Sequence, residues 1–128
     1  MFLVPLTLTE KIEEFVAELI VSNEDLSARN AISAAIGEFP NAKAIDAVFA
    51  FVSMASALEQ PLFDYTGRDA KLSAELYRSI AILVADIYAV ERLRGWPVTC
   101  AQLSEFWVET DETFFIPGQA VKAVTNLT

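Results

Sequence analysis

Residues 68–94 read RDAKLSAELYRSIAILVADIYAVERLR, an uninterrupted stretch bounded by Gly67 and Gly95. Ser73, Leu76, Ile80, Leu83, Ile87 and Val90 recur with alternating steps of three and four, the spacing of one helical face. Tyr77, Ala81, Val84 and Tyr88 make a second row beside the first. Together the rows cover roughly half the circumference, wider than the ~100° stripe of an ordinary surface helix. Lys71, Glu75, Arg78, Ser79 and Asp86 fall on the other side, which marks Asp86 as a solvated residue. A helix of this kind is central and packs against partners from more than one direction.

Its partner is the most apolar window of the chain, Ala44 to Leu58. Ile45, Val48, Phe49, Phe51, Val52, Met54, Ala55 and Leu58 wrap most of a helix, and Ala47, Ala50, Ser53 and Ala57 form a row of small side chains that permits close approach. The spacing predicts a third helix from an Asn41 cap to about Gln60, ended by Pro61. Before it, Thr7 with Glu10 fits a capping box for a first helix over 8–21, with Ile12, Phe15, Val16, Leu19 and Ile20 as its apolar stripe. Asn23 is placed to cap a second helix, with Leu26, Ile32, Ala35 and Ile36 inward, Gly37 as its stop and Pro40 beyond. After the break at Gly95-Trp96-Pro97, Thr99 with Gln102 fits another capping box, opening a fifth helix with Leu103, Phe106 and Trp107 inward. A short sixth helix is expected over 117–125. No segment alternates as a strand does. The expected fold is therefore all-α, a single domain over 1–128 of five to six helices packed around a buried central antiparallel pair.

Composition narrows the chemistry. The chain has 128 residues, 54% of them hydrophobic, with mean hydropathy +0.38. That apolar share exceeds what a core of this size absorbs easily, and the excess points to a subunit interface. Eighteen acids against nine bases leave a net charge of −9, which repels polyanions at long range. No histidine is present, which removes Ser-His-Asp and Cys-His catalysis and His-containing metal sites. The single Cys100 makes no internal disulfide and suits a reducing compartment, so a cytoplasmic location is expected. No apolar run reaches the ~18 residues of a membrane span, and the opening residues, with no basic start and a short apolar run, are not expected to act as a signal peptide.

Few residues suggest a site. Glu91 falls inside the apolar arc, one turn beyond Tyr88, with Arg94 in reach three residues on. An acid there is expected to be at least half-buried and to hold a cationic or tyrosine partner. With Tyr77, Tyr88 and Arg94, Glu91 is the candidate for binding a small apolar ligand. Leu62, Phe63, Tyr65, Trp96, Phe114 and Phe115 are the candidate interface residues, because loops otherwise exposed to water would not hold them. The acid pairs Glu10/Glu14, Glu14/Glu18 and Glu105/Glu109 lack a further ligand, so no metal and no cofactor is expected. Cys100 lies in a first helical turn, where the dipole lowers a thiol's pKa, but no general base accompanies it.

Residues 96–106, WPVTCAQLSEF, resemble the opening of a helix-turn-helix, in which a Thr-capped short helix precedes the recognition helix. The resemblance implies a transcriptional regulator with its reading segment near 99–115. The sequence departs from that pattern in charge: between Gly95 and Val121 there is no Lys or Arg to contact phosphate. The leading expectation is instead a non-enzymatic, self-associating interaction or regulatory module, a homodimer with room for another protein partner.

Overall fold

The computed structural model describes residues 6–60 and 66–110. Among them are five α-helices and no named strand: α1 Leu8–Ser22, α2 Ala28–Glu38, α3 Ala44–Glu59, α4 Arg68–Arg94 and α5 Cys100–Glu109. The fold is all-α. The sixth expected helix lies outside the described residues. None of the described helices is long and apolar enough to cross a membrane.

α3 and α4 share the most extensive contact in the molecule; α1 packs on α3, α2 on α1 and α4, and α5 on α2 and α4. The seam between α3 and α4 is closed by Ser73, whose hydroxyl donates to the Ala55 carbonyl at 2.7 Å. Ser73 is the one buried polar residue described, and that bond satisfies it. Around the seam the apolar row of α4 (Leu76, Ile80, Leu83, Ile87, Val90) is buried, as are Ala47, Ala50, Phe51 and Ala55 of α3. α1 adds Ile12, Val16 and Ile20, and Phe15 meets Phe39 edge-on with ring centroids 5.7 Å apart.

The helix ends differ from the sequence reading at three places, each for a local reason. Asn23 does not start α2. Its backbone N–H and its side-chain amide both donate to the Leu19 carbonyl, so it closes α1 instead. Ser27 caps α2, accepting from the Asn30 N–H at 3.1 Å. Gly37 does not stop α2 either: the Phe39 N–H still reaches the Ala35 carbonyl, and the helix runs on to Glu38. Asn41 does not cap α3, whose first residue is Ala44. Residues 40–44 are drawn off the helix by pairing with residues 98–101. The Ala44 N–H donates to the Val98 carbonyl, the Cys100 N–H to Ala42 and the Ala101 N–H to Pro40, and Lys43 and Thr99 form an isolated antiparallel bridge.

That pairing also completes the start of α5. Thr99 and Gln102 form the expected reciprocal capping box at 3.1 and 3.0 Å. The N–H groups of Cys100 and Ala101, which a helix leaves without an internal partner, go to the α2–α3 connection.

Candidate functional site

The residues expected to bind a ligand are spread over two environments. Glu91 is half-buried. Arg94 turns instead to α5, donating from Nη2 to both carboxylate oxygens of Glu109 at 2.8 Å and from Nη1 to Glu105 at 3.3 Å. The hydrogen bond to Glu109, then its charge, raises the Arg94 pKa above its ordinary value. The pair Glu105/Glu109 is thus an ion-pair partner for α4. Tyr77 is exposed and donates to Glu59 at 3.4 Å. Tyr88 is exposed, with the Arg92 guanidinium 6.0 Å from its ring centroid.

Asp86 is the other departure. The wheel puts it on the polar side of α4, and α5 packs over that side. Asp86 is half-buried and accepts from the Trp107 indole N–H at 3.1 Å. A helical wheel tells which side a residue is on, not which neighbour will cover it.

Cys100 is fully buried, and burial followed by the Asp46 charge pushes its thiol up to about 11. Desolvation outweighs the helix-dipole effect expected at a first turn, so the group is a neutral thiol rather than a nucleophile. Among the described residues no cluster of Cys, Asp and Glu has the makings of a metal site. A cleft of about 300 Å³ lies between the α1–α2 connection and α4, lined by Glu24, Asp25, Arg68 and Lys71 among others. Its guanidinium is already engaged: Arg68 donates to the Ile20 and Asn23 carbonyls at 2.8 and 2.6 Å, closing the end of α1.

What stands out is a surface. Ile45, Phe49 and Val52 of α3 are exposed, and so are Tyr77, Val84 and Tyr88 of α4. The first three recur at steps of four and three, as do Tyr77, Ala81, Val84 and Tyr88, so each set is one row on its helix. The hydrogen bond from Tyr77 to Glu59, together with that from Ser73 to Ala55, places the two rows beside one seam. The small exposed side chains Ala81 and Ala85 fill in the α4 side. No charged residue occurs on α3 between Asp46 and Glu59. On α4 between Arg78 and Glu91 there is only Asp86, which is turned toward Trp107. The result is a two-helix face without charge, apolar except for exposed Ser53 and Ser56 on α3, in a chain of net charge −9.

Periodicity alone predicts packing for both rows; the structure leaves them on the surface. Of the interface residues it singled out, Trp96 is exposed, while Leu62, Phe63, Tyr65, Phe114 and Phe115 lie outside the described residues. α5 carries no Lys or Arg, and residues 111–115 of the expected reading segment lie outside the described residues. Comparison with protein-family models, with curated proteins and with solved structures found no match.

Proposed function

We propose that the protein is a non-enzymatic interaction module that self-associates through the outer face of α3 and α4. The observation that carries this reading is the uncharged row pair Ile45, Phe49, Val52 and Tyr77, Val84, Tyr88, exposed together beside one seam. Contiguous apolar patches with polar surroundings mark association surfaces, whereas scattered apolar side chains do not. The side chains themselves suit the role, since Phe and Tyr supply large contact area at low entropic cost.

Further support comes from what the chain lacks. It has no histidine, and its one thiol is buried and held neutral. The ligand-binding alternative needs Glu91, Tyr77, Tyr88 and Arg94 to converge, and Arg94 is committed to Glu105 and Glu109.

Sedimentation tests the proposal. The expected outcome is a mass that rises from 14.1 kDa toward twice that value as the protein is concentrated, with the transition between about 1 and about 100 µM, as suits a modest interface. Phe49→Glu abolishes the rise. A wild-type chain that stays monomeric throughout ends the proposal.

A further inference from the structure

The geometry of this face points to one arrangement of the two copies, an inference that rests on the self-association just proposed. We propose that they stack α3/α4 face on α3/α4 face about a two-fold axis lying across the helices. The Glu59 end of each copy then lies over the Lys43 and Arg92 end of the other.

The area limits what the face can hold. From Ile45 to Glu59 the α3 row is about 21 Å long, and from Tyr77 to Arg92 the α4 row is about 22 Å, at 1.5 Å per residue. Two helices side by side are about 20 Å wide, so each copy offers on the order of 400–500 Å² and the pair about 800–1,000 Å². That lies at the low end for a specific interface, so its ends matter to its affinity. It also makes a second copy a fitting occupant, because a single self-complementary patch closes into a dimer and leaves nothing open.

Charge supplies the orientation. Exposed Glu59 ends the α3 row, at the end where α3 meets Tyr77. At the opposite end stand exposed Lys43, before the first turn of α3, and exposed Arg92, stacked toward Tyr88. Glu91, half-buried, is the acid at that end of α4. An axis running along the helices would set the two Glu59 ends together and the two Lys43–Arg92 ends together. An axis across them sets each acid end over a basic end. Like charges brought together at an interface are costly, and complementary ones fix register. The long-range repulsion between two chains of charge −9 is least where the surface carries no charge, which is the middle of this face.

Charge reversal in the full-length chain tests the arrangement. Glu59→Arg and Arg92→Glu each change an exposed side chain, so helicity by circular dichroism stays at the wild-type level. Each variant alone is expected to dimerise on the order of tenfold more weakly than wild type, read by sedimentation. Mixed in equal amounts, the two variants are expected to recover near wild-type affinity. In the mixed pair both end contacts are again between opposite charges. If both reversals leave affinity as it was, or if mixing restores nothing, the crosswise arrangement is overturned. Wild-type dimers that persist in those experiments keep the self-association reading intact, whereas a monomeric wild type removes that reading itself.

Discussion

Phe49 and Phe51 stand two residues apart on α3, and they live in different worlds. Phe51 is 0% exposed among Leu, Ile and Ala side chains, while Phe49 is 65% exposed. The same division runs along α4, where Leu83 is 0% exposed and Tyr88 60%. The inner side of the pair holds the monomer together; the outer side is apolar without contributing to that. Hydrophobicity in sequence therefore does not tell which side chains of a helix the chain itself will cover.

The largest effect expected from breaking this contrast is on the inner side. Phe51→Ala leaves a cavity in a packed core and should lower unfolding free energy by ~3–5 kcal/mol in urea titrations. Phe49→Ala, measured at the lowest workable protein concentration, should stay within ~0.5 kcal/mol of wild type. A Phe49 variant that unfolds as readily as the Phe51 variant would erase the distinction.

Gly95 sharpens the contrast by separating space from backbone. A Cβ there would meet nothing within 4 Å, but the residue sits at φ +87° and ψ 172°. That region is almost confined to glycine, so Gly95→Ala should cost ~1–3 kcal/mol by thermal or urea unfolding despite the open surroundings.

Cys100 gives a pH-dependent test of the inner side. Its thiol is raised from 9.0 to about 11 in the fold, so the folded state favours the protonated form. The associated stability is present below pH 9 and is lost as pH rises from there toward about 11. Over that interval wild type should lose on the order of 1–2 kcal/mol, and Cys100→Ala should flatten the slope. A slope that is the same in both would place the thiol in water. Ser73→Ala, finally, deletes the 2.7 Å bond across the α3–α4 seam and should cost ~1 kcal/mol in the same unfolding assay, the smallest loss expected on the inner side.

Much of the architecture was legible because periodicity and caps agree over long helices. α4 occupies 68–94 as its bounding glycines and apolar rows suggest, and the Thr99–Gln102 box forms in full. The start of α2 was less legible because Asn23 and Ser27 are both good caps, and only the demands of α1 on Asn23 decide between them. The start of α3 depends on a chain segment more than fifty residues away, which no local signal announces. The candidate site was read least well. Tyr77 and Tyr88 suit a pocket by their spacing with Glu91 but lie on an open face, and Arg94, within reach of Glu91 along α4, is taken up by Glu105 and Glu109 from α5. Partners from other helices carry no periodic mark, so sequence shows the appetite of such a residue but not who satisfies it.

The backbone pairing of residues 40–44 with 98–101 has a dynamic consequence. Neither segment can loosen alone: lifting the α2–α3 connection strips the first amides of α5, and lifting α5 strips the amide that opens α3. The Ala44, Cys100 and Ala101 amides should therefore trade hydrogen for deuterium at one shared rate, as a single latch that is either shut or sprung.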